Sequence, residues 1–265
     1  MAVRFFKSLW GMESLSLPDA LARIAEAGYE GVEAGLESVQ AARALDADLP
    51  LIAMLFEESP ETLAEHLEAA GEVGVESVTV HAGKDWWDEE TAFRFFEASL
   101  RRVEASGLIV NFETHRGRLL FNASSTAATL QRFPEMRLCA DFSHWTCVSE
   151  SLLEDQAEAL VLAISRTRHL HARIGHEEGP QVPDPRSPRW ARPTERFLQI
   201  WDEVWQASGG DLTVDPEFGP PHYLWTDAHS GEPAADLWEV CLWMRDTLRD
   251  RWGESRQQAS QLPLP

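Results

Sequence analysis

The chain has 265 residues, and its 23 basic and 44 acidic side chains give a formal net charge of −21 with histidine neutral. Such acidity repels nucleic acid and anionic lipid at long range, and no Lys/Arg cluster marks a local basic groove, so neither partner is expected. No apolar run reaches the ~20 residues that span a bilayer. MAVRFFKSLW, the first ten residues, lacks the apolar core and small-residue cleavage site of a signal peptide, which leads us to expect a cytoplasmic protein.

Short β-rich apolar runs recur along the chain, at 4–9, 31–35, 51–56, 77–82, 108–113, 137–141, 169–174 and 211–217. They alternate little between polar and apolar, as strands buried on both faces do. Amphipathic stretches lie between them. The first, 17–28, has Pro18 at its start and Gly28 at its end, and 60–74 has the same punctuation. Longer helical patterns cover 89–105, 150–164, 193–207 and 232–252, with weaker ones near 37–45 and 123–132. Eight strand-then-helix units in a chain of this length predict one (β/α)8 TIM barrel of the α/β class over residues 1–253. The competing open doubly wound sheet would carry a glycine-rich first turn, and SLWGMESLSLP has one glycine. ESRQQASQLPLP, residues 254–265, reads as a flexible solvated tail.

Cys139, Cys147 and Cys241 are widely spaced, with no C-x-x-C pair, so we expect small buried side chains rather than a disulfide framework or structural zinc. The tryptophans are mostly packing residues; Trp201, Trp205, Trp238 and Trp243 belong either on the barrel wall or in the interface of a homo-oligomer.

Catalytic groups of a barrel sit at the C-terminal ends of its strands. Strand four ends at His81. Strand five ends at Glu113, with His115 and Arg116 beyond it, and strand six at Asp141, with His144 beyond it. Strand seven carries His169, His171 and Arg173, and strand eight Asp215 and Glu217. On strand seven, one of the two histidines is expected to face the interior and the other to pack under a helix. Four successive strands thus bring Glu, Asp, His and Glu to one rim, where three carboxylates would repel one another without a cation. Hard oxygens with one imidazole suit a single divalent ion: Mn²⁺, Mg²⁺, Co²⁺ or Zn²⁺.

The segments NFETHRGR (111–118), ADFSHW (140–145), HLHARIG (169–175) and DPEFGPPHY (215–223) resemble the xylose isomerase-like TIM-barrel superfamily, which includes sugar isomerases, ketose 3-epimerases, inosose dehydratases and endonuclease IV. The resemblance covers essentially the whole chain. It implies a metal held by Glu113, Asp141, His171 and Glu217, with His171 chosen over His169 by the H-x-H pattern. It also implies that Glu113 and Glu217 are catalytic, moving protons through an enediolate. His144 and Arg173 would bind substrate oxygens, with His81, His115 and Arg116 as further substrate-binding residues. Glu33 and Trp10 would cap the pocket, and the proline-rich loop 175–190 would form a lid.

The expected function is a metal-dependent isomerase or epimerase of a sugar or keto-sugar. The alternative is a lyase or dehydratase acting on a 3-keto glycoside or inosose at the same site. A non-catalytic sugar-binding barrel is a weaker reading. An endonuclease IV-like enzyme needs three zinc ions and more ligands on strands two to four than this chain offers. The departures from the family are the strand-seven sequence HARIGHEEG and the lack of a proton-transfer lysine in a recognisable setting, Lys84 being the one candidate.

Overall fold

The computed structural model describes residues 3–209 and 211–260. Eight strands pair in parallel, each with the next and the last with the first: β1 (Arg4–Ser8), β2 (Gly31–Gly35), β3 (Leu51–Glu57), β4 (Ser77–Ala82), β5 (Val110–Glu113), β6 (Leu138–Ala140), β7 (Thr167–His171) and β8 (Thr213–Asp215). The barrel is closed, as the eight repeated units predict. Around it run α1 (Leu17–Glu26), α2 (Leu36–Ala44), α3 (Pro60–Val73), α4 (Glu89–Ser106), α5 (Ala123–Arg132), α6 (Phe142–Ser149), α7 (Ala157–Arg166), α8 (Ala191–Ala207) and α9 (Leu237–Ser260).

The helix starts follow side-chain chemistry. Ser16, Ser59, Asp88 and Asn122 each accept a hydrogen bond from a backbone N–H in the first turn of α1, α3, α4 and α5. Gly74 and Gly107 end α3 and α4 in the left-handed conformation. The helices bury one face each, through residues such as Leu21, Ile24, Leu63, Leu67, Phe96 and Trp201, against the outer surface of the strands. Inside the barrel Phe6 lies so close to Gly31 that a Cβ there would sit 2.2 Å from its ring, so a side chain at this position of β2 would force the ring to move.

Two elements differ from the sequence reading. The pattern at 150–164 predicts one helix, but the helix there, α7, begins only at Ala157, and an unpredicted α6 precedes it at Phe142–Ser149. Asp141 caps α6, accepting from Ser143 N at 3.0 Å, and Glu150 and Leu153 take positive φ values of 49° and 63° that end it. The first five residues of α6 are all buried, so it lacks the polar–apolar period that marks a surface helix. At the other end α9 runs to Ser260, so the backbone at 254–260 is helical where a tail is expected; 261–265 lie outside the described residues. Cys139 and Cys241 are buried and Cys147 partly so; all three are free thiols. Trp201 is fully buried, and Trp205, Trp238 and Trp243 pack partly buried against the core, the barrel-wall placement. Among the described residues no helix is long and apolar enough to cross a membrane.

Candidate metal centre and active site

Glu113 and His171 are the last residues of β5 and β7, Asp141 follows β6 directly and Glu217 follows β8 by two residues. Closure of the barrel turns these sequence-distant positions toward one another. One ligand atom from each of Glu113, Asp141, His171 and Glu217 lies within 4.8 Å of all the others, and all four residues are buried. His171 Nδ1 stands 3.4 Å from Glu113 Oε1 and 3.3 Å from Glu217 Oε2, with a hydrogen bond to neither.

The other face of the imidazole explains its orientation. His171 Nε2 lies 3.0 Å from Glu33 Oε2, which aims Nδ1 into the carboxylate cluster. Burial lowers the imidazole, but Cys139, Glu217, Glu33 and Glu113 outweigh it and hold it well above its ordinary value, so a metal would have to displace the Nδ1 proton. Glu33 sits mid-strand on β2, fully buried. The same oxygen accepts from His169 Nε2 at 2.8 Å, and its other oxygen accepts from Thr79 Oγ1 at 2.6 Å. On its other side His169 Nδ1 is hydrogen-bonded to Thr213, 2.7 Å from Oγ1 and 3.1 Å from the carbonyl oxygen. Burial pushes the Glu33 carboxyl up, but His169 and His171 outweigh it and hold it below the usual carboxylate range.

This network corrects two expectations. His169 does not pack under a helix: residues two apart on a strand share a face, so both histidines point inward. Glu33 does not cap the pocket but underpins the histidine. The signal for it was present as a lone charge inside GVEAG, a strand buried on both sides, where only a paired carboxylate is tolerable.

Arg173, two residues beyond His171, is buried among the acids. Its Nη2 donates to Asp141 Oδ2 and also lies 2.7 Å from His144 Nε2; its Nε donates to Ser143 Oγ at 3.2 Å, and Nη1 stands 3.6 Å from Glu217. Its guanidinium lies over Tyr223 at 4.7 Å and near the Trp10 ring at 5.9 Å. Trp10 is seated by Gly219, where a Cβ would stand 2.2 Å from the indole. Burial raises the Asp141 and Glu217 carboxyls despite Arg173, whereas Glu113 is held well below its ordinary value because His81 and His171 outweigh the effect of burial.

His81 Nε2 is 2.6 Å from Glu113 Oε2, off hydrogen-bond geometry, and its ring stacks on Phe56 at 4.2 Å. His115 packs on His144 at 3.9 Å, and burial lowers both imidazoles, His115 to about 3, so both are neutral near pH 7. A cavity of about 510 Å³ opens onto the cluster and is lined there by His81, Glu113, His115, Arg173 and Glu217. His144 is fully buried beside Arg173 and is absent from the lining; Arg116 lies over the Tyr223 ring at 5.1 Å. Lys84 is paired with Glu58 at 2.8 Å and is also absent from the cavity lining.

The residues fit a divalent ion. An imidazole nitrogen without a hydrogen bond faces two carboxylates and a third carboxylate stands alongside, a hard donor set with its histidine tautomer already fixed from behind. A dication together with Arg173 would balance the charges of the three acids.

The sequence of residues 55–179 matches a family model described as xylose isomerase-like TIM barrel. No curated protein matches the chain. Among solved structures it resembles the 3-keto-D-glucoside 4-epimerase of E. coli, at 14% identity and a TM-score of 0.61 over 94% of this chain and 99% of that one. It resembles equally the probable 3-DHS dehydratase of Bacillus anthracis, at 14% identity and a TM-score of 0.63 over 93% and 98%. Endonuclease IV of Thermus thermophilus aligns at 16% identity and a TM-score of 0.57 over 95% and 99%. At such identities the likeness is one of fold, and it spans three chemistries. The segment 55–179 lies within a closed eight-stranded parallel barrel, so the fold of this chain is the (β/α)8 TIM barrel that the matched family model describes.

Proposed function

We propose that the protein is a divalent-metal-dependent isomerase or epimerase of a sugar or keto-sugar, with Glu113, Asp141, His171 and Glu217 as the metal ligands. The observation that carries this reading is His171 Nδ1, buried, without a hydrogen bond and facing Glu113 and Glu217 at 3.4 and 3.3 Å. A bound dication would polarise a substrate carbonyl and stabilise the charge that develops when a proton leaves the neighbouring carbon.

Glu113 and Glu217 reach the cavity from opposite sides of His171, on β5 and after β8. One carboxylate removes the proton α to the carbonyl and the other returns it to a neighbouring carbon or the opposite face. Both are held by buried partners, Glu113 beside His81 and Glu217 beside Arg173, so their reach is set before substrate arrives. Arg173 brings a fixed positive charge to the cavity wall, suited to a substrate oxygen on which negative charge develops. His81 and His115 line the same wall and can orient hydroxyls.

The test is proton exchange in D₂O, followed by NMR, with Mn²⁺-loaded protein and a panel of keto-sugars. Wild-type protein should place deuterium on carbon in a product of unchanged molecular formula. Glu113→Gln and Glu217→Gln, at saturating metal, should lose that exchange by at least 10²-fold. A product lacking a hydroxyl or aglycone would assign the site to elimination instead, and unchanged exchange in both variants would reject the two-carboxylate reading.

A further inference from the structure

The cavity has two unlike walls. Toward β4–β8 it is polar and charged, as described. Toward β1–β3 it is built from Met12, Leu15, Ala34, Met54 and Phe56, with Trp10 between the two halves. Phe56, at the end of β3, leaves 57% of its surface exposed, although its other face stacks on His81. The polar side chains on this side are Ser8, Glu13 and Ser38; Ser8 Oγ accepts from Trp10 N at 3.1 Å, and Glu13 Oε1 accepts from Gly11 N at 2.9 Å.

A free sugar filling this space would bring hydroxyls against a wall with few partners for them, and each hydroxyl stripped of water without a replacement is costly. The cavity, about 510 Å³, falls within the ~300–1,000 Å³ range of sites that enclose drug-sized ligands and is larger than one sugar ring needs. The arrangement suits a molecule with chelating oxygens at one end and an apolar body at the other.

We propose that the substrate is a glycoside: its sugar ring engages the carboxylate–His171 end, and an aromatic aglycone lies on the wall formed by the β1–α1 loop, Ala34, Met54 and Phe56. This inference rests on the sugar reading of the metal end and adds the identity of what the sugar carries. Phe56 supplies an open aromatic face for the aglycone ring, and the methionines adapt to its outline.

The experiment is calorimetric titration of the full chain, loaded with Mn²⁺, with the methyl and phenyl 3-keto-β-D-glucopyranosides and with phenol alone. The phenyl glycoside should bind at least about ten-fold more tightly than the methyl glycoside, as burial of an apolar ring predicts, and phenol should bind more weakly than either. Met54→Glu should bring the phenyl-to-methyl ratio close to unity. Phe56→Ala, a change at an exposed side chain, should reduce the same ratio and guards against a folding defect in the first variant. Equal affinity for the two glycosides would overturn the aglycone while leaving the sugar reading intact. Phenol binding as tightly as the phenyl glycoside would overturn both, because the sugar would then contribute nothing. Failure of all three to bind would overturn the proposal, with proton exchange on free keto-sugars judging the parent reading separately.

Discussion

Glu33 touches neither the cavity nor the carboxylate cluster, yet the direction of His171 depends on it. Its oxygen at 3.0 Å from His171 Nε2 favours a proton on that nitrogen and so leaves Nδ1 as the one that a metal can claim. Glu33→Gln keeps the size but replaces an acceptor-only group with one that also donates, so the tautomer is no longer enforced. Mn²⁺ affinity measured by calorimetry should fall about 10–100-fold, with the far-ultraviolet circular dichroism unchanged. Arg173 makes a different demand. Asp141 is its closest acid, and both are buried. Asp141→Asn leaves the guanidinium with reduced compensation in a dry setting, and breaking such a pair costs about 3–5 kcal/mol. Urea unfolding of the metal-free variant should show a loss of that order.

The loop after β7 is tied to the backbone of the loop after β8 by Gln181. Gln181 donates to Gly219 O at 3.0 Å and accepts from Gly219 N at 2.7 Å. It ties the proline-rich 175–190 segment to Gly219, against which Trp10 of the cavity wall packs. Two hydrogen bonds at roughly 1 kcal/mol each imply that Gln181→Ala should raise the rate of limited proteolysis within 175–190 on the order of ten-fold. His176, in the same loop, packs against Trp190 and Trp225 with ring separations of 4.9 and 5.9 Å, and burial lowers its pKa. A histidine lowered in the folded state is neutral there while the unfolded chain takes up a proton. Its contribution to stability is therefore complete above the unfolded value of ~6.5 and declines as the pH falls below it. The acid-side fall in melting temperature should be shallower in His176→Gln than in wild type.

At the level of the whole molecule, the carboxylate cluster is a concentration of like charge that Arg173 and the neighbouring histidines only partly offset when no cation is bound. A dication that binds the native site and not the unfolded chain stabilises by mass action, about 2.7 kcal/mol at a hundred times its dissociation constant. For a chain of this size that corresponds to a rise in melting temperature of several degrees. Scanning calorimetry with Mn²⁺, and again after a chelator, should show the rise and its reversal. Because metal ligands must shed protons to bind, the gain should be larger at pH 8 than at pH 6.

The barrel was legible in the sequence because its signals are local. Strands buried on both faces read as continuous apolar runs, and helices between them carry their own caps, so eight units could be read without any tertiary contact. Glu113, Asp141 and Glu217 were legible as candidates for a related reason, since each stands at or just past a strand end and closure brings strand ends to a common rim, whereas the choice of His171 over His169 came from the family resemblance. The short helix α6 was not legible, since a helix buried on nearly every side has no amphipathic period. Nor were the roles of Glu33, His169 and Arg173, because the sequence specifies which groups line a strand but not which group across the barrel each will meet. Those pairings join β2 to β7 and β7 to the segment after β6, and only the closed tertiary structure, with the low dielectric of its interior, decides that a buried carboxylate turns an imidazole and a buried guanidinium shares an acid.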